Sequence, residues 1–302
     1  MKRVHTLLLT VVIVLIGFPA AGALDNLSAR TAMSWPPQQK IDVPYEPTSE
    51  KVVVRMLDIA TVGPRDLVYD LGCGDGRIVI EAVRRKGARG VGIDIDPKRI
   101  QESNENARKA GVTDRVVFIQ QDLFDSDIGK ATVVMLYLLP SVNLKLRPKL
   151  FRELDPGTRV VSHSHDMGDW KADRREKVKG HDIYFWVIPA NVAGTWAWAV
   201  PDGQGNKQYN LKIGQRFQEV IGTFFFGNTE APVRDIRLTG RRLSFMVDRM
   251  MDGKKTSFRY EGEVNGNTIE GTAKPEHGSS AGTEAWKAKR NPNAATAVET
   301  RD

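Results

Sequence analysis

The sequence predicts an α/β fold, a doubly wound parallel sheet with crossover helices, followed by an antiparallel β-barrel or sandwich. Three observations carry this. Apolar strand-like runs alternate with helical patterns from Asp66 to Ser162, which implies parallel strands with helices on both faces. The first of these strands, Val68-Tyr-Asp-Leu-Gly-Cys-Gly-Asp-Gly-Arg-Ile-Val-Ile80, passes through closely spaced glycines straight into a helical pattern. From residue 191 onward the pattern changes to short alternating strands separated by Gly and Asn turns. A length of 302 residues with 27% charged residues suits a soluble chain of one or two domains, each large enough to own a core.

Residues 1–23 stand apart. Lys2 and Arg3 precede an apolar run from Leu7 to Phe18, then Pro19 and Ala21-Gly-Ala23, the layout of a secretory signal with an A-x-A cleavage site. An uncleaved anchor is the alternative, since Leu7 to Leu24 approaches the ~20 helical residues that span a bilayer. Either way the positive end stays inside and the remainder faces outward, so the expected location is exported, periplasmic or secreted, or membrane-anchored through this segment. The single cysteine, Cys73, forms no internal disulfide and leaves the compartment open. Inside the glycine turn it suits a small packed residue better than a reactive thiol. The formal charge of +7 becomes +5 without Lys2 and Arg3, a weak basic bias. Arg84-Arg-Lys86 and Arg174-Arg-Glu-Lys177 read as solvated faces, and no basic patch is interleaved with aromatics, so nucleic acid is not an expected partner.

Residues 24–47 read as a linker, closed by Tyr45 and Pro47. The first domain is expected over residues 48–190. Thr48 or Ser49 is placed to cap a helix from Glu50 to Ala60, whose Val53, Met56, Leu57 and Ala60 share a face. Strands follow at Asp66–Leu71, Val91–Ile95, Arg115–Ile119, Ala131–Leu139 and Thr158–Ser162, with a last one at His181–Pro189. The intervening helices run from Arg77 to Lys86, from Pro97 to Ala110 with a stop at Gly111, and from Leu144 to Leu154. The strand at Ala131 is apolar almost throughout, as a strand buried on both faces should be.

The glycine turn reads as a ligand site. Gly72, Gly74 and Gly76 can adopt backbone angles closed to other residues and leave room for close approach. The helix behind them aims free N–H groups at an anionic group, which is expected at this turn. Asp94 closes the second strand about 20 residues later, where a carboxylate can accept from both hydroxyls of a ribose. In an open α/β sheet the ligand lies beyond the carboxyl ends of the strands, where Asp70, Asp94, Asp122 and Tyr137 all fall.

The G-x-G-x-G spacing with Asp70 inside the strand end resembles the class I S-adenosylmethionine-dependent methyltransferases, whose domain is Rossmann-like, rather than dinucleotide enzymes with G-x-G-x-x-G. The resemblance implies S-adenosyl-L-methionine as cofactor. It also implies that Asp70, Gly72 and Gly74 line the methionine end, that Asp94 takes the ribose, and that Asp122 with Leu123 recognises adenine. Tyr45 and Thr48, just before the first helix, become further cofactor contacts, although capping and packing also suit them. Tyr137-Leu-Leu-Pro140 stands where many amino methyltransferases carry Asn/Asp-Pro-Pro-aromatic, and it lacks the polar first residue, which argues against a planar amide or base nitrogen as acceptor. The wider run from Asp122 to Trp170, with Ala131-Thr-Val-Val-Met-Leu-Tyr-Leu-Leu-Pro140, Asn143, Leu146-Arg-Pro148 and Leu154-Asp-Pro-Gly-Thr-Arg-Val-Val-Ser162, resembles protein-lysine methyltransferases of the mitochondrial type. Those enzymes modify a membrane component of ATP synthase and the adenine nucleotide carrier. The likeness spans residues 45–188.

A methyl-acceptor protein, a membrane protein among the options, or a small molecule is therefore the implied partner, with membrane association available through the N-terminus. A lysine amine must lose its proton, from a pKa of ~10.4, and an apolar aromatic site favours that loss. Tyr137 and Trp170 are the candidates for such a catalytic site; packing of the core suits the same two side chains. His163, His165 and Asp166 sit at a strand end near the site mouth, where contact with substrate or solvent is their better role. With no cysteine partner beside them, no metal is expected. Two other functions stay open on sequence grounds, an exported nucleoside-binding protein without turnover and a small-molecule methyltransferase. An NAD-linked oxidoreductase is disfavoured by the glycine spacing.

The second domain is expected over residues 191–290. Its strands read as Thr195–Val200, Tyr209–Phe217, Val220–Phe226, Val233–Leu238, Leu243–Val247, Ser257–Val264, Thr268–Ala273 and Ala285–Arg290. Val264-Asn-Gly-Asn-Thr268 is a hairpin turn. A barrel with a filled core and a cup for a ligand both fit this pattern. Residues 291–302 read as a disordered tail.

Overall fold

The computed structural model describes residues 45–201, 205–251, 254–276 and 282–291. The signal or anchor segment, most of the linker and the tail beyond Asn291 lie outside the described residues.

Seven strands form the first sheet in the order β3-β2-β1-β4-β5-β7-β6. They are β1 Leu67–Leu71, β2 Arg89–Asp94, β3 Val116–Gln120, β4 Val133–Leu136, β5 Arg159–His163, β6 Arg174–Val178 and β7 His181–Val187. β1 to β5 run parallel, whereas β7 is antiparallel to both β5 and β6. The order reverses between β1 and β4, which opens the crevice where such sheets bind ligands.

Four helices cover the sheet: α1 Glu50–Ile59, α2 Arg77–Lys86, α3 Pro97–Ala110 and α4 Pro140–Glu153. α1 lays Val52, Val53, Met56 and Leu57 against Val133, Met135, Val161 and Ile183. Leu146 and Leu150 of α4 seal the opposite face over Leu71, Leu136 and Val160. The Asp96 side chain caps α3 by accepting from Lys98 N at 2.8 Å, with Pro97 opening the helix and Gly111 closing it in a left-handed conformation.

Two local expectations are corrected. β4 is only Val133–Leu136, and α4 begins at Pro140 rather than Leu144, because proline's fixed φ suits a first helical position. The charged run Arg174–Lys177 has no buried side chain, as expected of a solvated face, and lies in the edge strand β6. Charge on an edge guards its unpaired backbone against further strand addition.

The remaining strands form a closed antiparallel barrel of β8 Gly194–Pro201, β9 Asn206–Arg216, β10 Glu219–Phe226, β11 Thr229–Thr239, β12 Arg242–Met251, β13 Lys254–Asn265, β14 Thr268–Pro275 and β15 Glu284–Arg290. β15 closes it onto β8 through Lys289 opposite Ala197 and Arg290 opposite Trp196. Trp196, Trp198, Phe224, Phe245, Tyr260 and Trp286 are buried together inside, so aromatic rings fill the interior of the barrel.

The β9–β10 turn fastens the barrel to the sheet domain. Phe217, buried and held at φ 53°, packs with ring centroids 5.5 Å from Phe151 and 6.1 Å from Trp170. Its neighbour Gln218 accepts from Trp170 Nε1 at 2.8 Å, and ion pairs Arg216–Asp169 and Lys171–Glu219 flank the plug. A left-handed conformation at a bulky residue is strained, and burial of the ring offsets it.

Candidate active site

The glycine turn follows β1 directly. Gly72, Gly74 and Gly76 have φ of 80°, 53° and 79°. A Cβ at Gly72 would lie 2.8 Å from Leu138, one at Gly74 2.5 Å from the Tyr45 ring, and one at Gly76 2.7 Å from Phe118. Both the backbone angle and the space thus require glycine. Tyr45 lies across the turn with Arg99 4.3 Å above its ring.

Asp75 places a carboxylate of the protein's own at the N-terminus of α2. Its carboxylate accepts from Arg77 N at 3.2 Å and clamps the Arg77 guanidinium, at 2.6 Å to Nη2. Those bonds outweigh burial and hold the Asp75 carboxyl below the usual carboxylate range.

Two other carboxylates face the crevice. Asp94 Oδ2 accepts from Gly74 N at 2.8 Å and Oδ1 from Asp96 N at 3.0 Å. A carboxylate offers about four lone-pair sites, so Asp94 keeps acceptor capacity for hydroxyls. Asp70 is 2% exposed, and its Oδ2 has no hydrogen-bond partner. Burial, and then the neighbouring Asp94 and Asp75, push its carboxyl up to about 8. An orphaned buried acid beside two more acids calls for a donor or a cation. Asp122, beyond the end of β3, accepts from Phe124 N at 2.8 Å, while Gln121 N donates to Asp94 O at 3.0 Å and holds the two loops together. Cys73 is buried and its thiol is pushed well up by burial, as an inert packed residue should be.

On the other side of the crevice stand Tyr137 and the end of β5. Tyr137 is half-buried, with its ring centroid 3.9 Å from that of His163 and the planes at 33°. Burial and the adjoining Glu46 carboxylate raise its hydroxyl to about 12. His163 is 2% exposed, and burial, with His181 next in importance, lowers it to about 4, so the imidazole is neutral. Its Nδ1 pairs with Thr48 Oγ1 at 3.1 Å, and its Nε2 has no partner. Thr48 therefore does not cap α1. Ser49 takes the N-cap position without a side-chain bond, and the Thr48 carbonyl accepts from Arg77 at 3.0 Å. His165 and His181 complete a three-histidine nest, 6.5 Å from Tyr137 and 4.9 Å from His163 respectively.

Trp170 is corrected from a site residue to a core residue. It is 0% exposed, packed against Trp186 and Phe151, with its N–H on Gln218. A Met167–Trp170 bridge shapes the turn that carries it, and it shares a core cluster with Leu146 and Leu150 of α4. The fold thus brings Tyr45, Asp70, Gly72, Gly74, Asp94 and Asp122 to one side of the crevice and Tyr137 to the other, joined by Thr48. Sequence reasoning did not identify Glu46 or His181. Glu46 sits beside Tyr45 in what reads as linker, and His181 gains meaning only from antiparallel pairing, which sets Ile183 opposite His163.

The ANTKMT methyltransferase domain family matches residues 70–174. A protein-lysine N-methyltransferase of Saccharolobus islandicus is 48% identical over 151 residues, covering 48% of this chain and 94% of that protein. The chain belongs to this family of S-adenosylmethionine-dependent methyltransferases. The adenine nucleotide translocase lysine N-methyltransferase of Mus musculus is 29% identical over 150 residues, and there the match spans 48% of this chain and 65% of the relative. A solved structure described as an RNA methyltransferase from Salinibacter ruber, in complex with S-adenosyl-L-homocysteine, is 57% identical with a TM-score of 0.48, covering 49% of this chain and 96% of that one. Membership leaves the nucleoside-binding and NAD alternatives without support.

S-adenosylmethionine is the cofactor, and when bound it supplies a methyl group activated on a sulfonium. The residues present fit it. The orphaned Asp70 oxygen offers an acceptor to a cationic or hydroxyl donor, Asp94 retains free lone pairs at the bend, and the glycine turn tolerates no Cβ.

Proposed function

We propose that this protein methylates the ε-amine of a lysine in an acceptor protein. The observation that carries the proposal is the pairing of Tyr137 with a buried, neutral His163 across the crevice from the three acids. An apolar aromatic wall disfavours the ammonium form and so favours the nucleophilic amine. Asp70, Gly72 and Gly74 would hold the methionine end, Asp94 the ribose and Asp122 the adenine, with Tyr45 closing over the turn. The rest of catalysis is positioning and exclusion of water around an in-line transfer.

The finer identity of the acceptor follows the named relatives only in class: a protein lysine, with a membrane protein as the first candidate. Residues 1–23 would place the enzyme outside the cytoplasm or hold it at a membrane. Among the described residues no helix is long and apolar enough to cross a membrane. The experiment is labelled methyl transfer into soluble and membrane protein, with the modified residue read by mass spectrometry and the mature N-terminus sequenced in the same preparation. Methyl-lysine is the expected product. Label confined to RNA, or to a small molecule, would overturn the protein acceptor.

A further inference from the structure

We infer that Asn143 is a positioning residue of the acceptor side: from α4 it holds the turn after β5 in the strained form that sets His163 and His165 facing Tyr137. The inference rests on the Tyr137 and His163 wall proposed above and names what keeps that wall in place.

The turn is tight and of an uncommon kind. His165 N donates to His163 O at 2.9 Å across a three-residue turn whose centre, Ser164, has φ 66°. Positive φ at the centre of such a turn marks its rare, strained form, and a residue with a Cβ adopts it only where the surroundings over-determine the backbone. What the turn achieves is visible at its two ends. The His163 ring centroid lies 3.9 Å from that of Tyr137 and the His165 centroid 6.5 Å, with planes at 33° and 17°. Both ends of the turn therefore face one ring.

Two elements hold it. On the β7 side, Ser164 N donates to Asp182 O at 2.7 Å, and Ser164 Oγ is 3.3 Å from His181 Nδ1. On the α4 side, Asn143 Nδ2 lies 3.3 Å from both His165 O and Asp166 O, and 3.2 Å from Ser162 Oγ. Backbone carbonyls only accept, so the amide must turn its N–H groups toward them. Arg147, one helical turn further along α4, donates to Met167 O at 2.8 Å. Three successive carbonyls, those of His165, Asp166 and Met167, thus end on two α4 side chains.

A second observation separates Asn143 from ordinary packing. The residue is 0% exposed, and its Oδ1 has no hydrogen-bond partner. A buried amide with an orphaned oxygen is costly, and an apolar side chain of like size would avoid that cost. Its donors are what an apolar side chain cannot replace. The cofactor side does not share this clamp. There Asp94 holds Gly74 N, whereas the Asn143 amide reaches only Ser162, His165 and Asp166 among its described hydrogen bonds. Loss of the amide should free the turn and leave the cofactor cradle whole.

The test uses the full chain, a mixed histone preparation as lysine-rich probe, and Asn143→Ala beside Asn143→Asp. In Asn143→Ala, kcat/KM for the histone acceptor should fall about a hundredfold, the scale of a misplacement of about 1 Å at the reacting group. KM for S-adenosylmethionine, and S-adenosylhomocysteine affinity by calorimetry, should stay within about threefold of the wild type, a split that general loss of folding would not give. Asn143→Asp, of nearly equal volume, should be no better, because it sets further acceptors against the same carbonyls. The position of His163 is read without any acceptor. Its ring protons, assigned by their loss in His163→Gln, should lie upfield under the Tyr137 ring in histidine-selective NMR of the wild type, and should lose most of that displacement in both Asn143 variants. Wild-type kcat/KM in either Asn143 variant overturns the inference, and so does an unmoved His163 signal or a parallel loss of S-adenosylhomocysteine binding. A wild type that labels RNA or a small molecule and no lysine removes the lysine acceptor, which is a different failure, and the same variants are then compared on that acceptor.

Discussion

Asp94 Oδ2 stands 2.8 Å from the Gly74 amide, so the acid ending β2 and the bend following β1 are locked together by the protein alone. The cofactor cradle is preorganised, and the bend needs no ligand to hold its shape. Replacing Asp94 with Asn keeps the volume but removes the charge and turns one acceptor into a donor. Hydrogen bonds to charged groups contribute about 1.5–3 kcal/mol, so S-adenosylhomocysteine affinity should fall roughly tenfold to a hundredfold by calorimetry. Unchanged affinity would remove Asp94 from the site.

Asp70 is expected to make cofactor binding pH-dependent. Its carboxyl is raised to about 8 in the folded chain, so at pH 7 it is mostly protonated. A cationic partner favours the ionised form, and binding should release a proton, visible as a dependence of calorimetric enthalpy on buffer ionisation heat. Affinity should rise with pH up to about 8 and level off above it.

The same shift sets a stability trend. Unfolded Asp titrates near ~3.9, so between that value and the folded one the native state binds more protons and stability falls as pH rises. Asp70→Asn should remove this slope. The ligand-free variant should melt a few degrees above the wild type at pH 8 and no higher than it at pH 4.

Trp170 should matter to stability and not to cofactor binding. It is wholly buried between Trp186, Phe151 and the Phe217 plug. Trp170→Ala should cost about 3–5 kcal/mol by chemical denaturation. S-adenosylhomocysteine affinity of the folded fraction should match the wild type. A selective loss of affinity with full stability would return Trp170 to the site.

Inside the barrel, Arg249 is 5% exposed, paired with Glu284 at 2.8 Å and set 3.5 Å over the Phe258 ring. Truncating one partner of a buried pair strands the other, so Arg249→Ala should destabilise by about 3–5 kcal/mol. Arg249→Met combined with Glu284→Leu should recover most of that loss in thermal melts. Equal destabilisation by the single and double variants would show that the pair is not coupled.

Sequence alone determined whatever depends on neighbours along the chain. The glycine turn, the α2 span and the Pro97 start and Gly111 stop of α3 are legible because backbone angle and periodicity are local properties. Eight alternating strands with their turns announced a barrel or sandwich for the same reason, and only the pairing of β15 with β8 closed it into a barrel. Tertiary structure decided what each side chain meets. Antiparallel pairing of β7 brought His181 to His163, and the segment before α1 brought the Thr48 hydroxyl to the same imidazole, neither of which any spacing encodes. Trp170 shows the limit most plainly, since an aromatic residue reads alike in a core and in a site. Phe151, Trp186 and, some 47 residues downstream, Phe217 enclose it, because the contact that buries a ring is made by whatever the fold places against it.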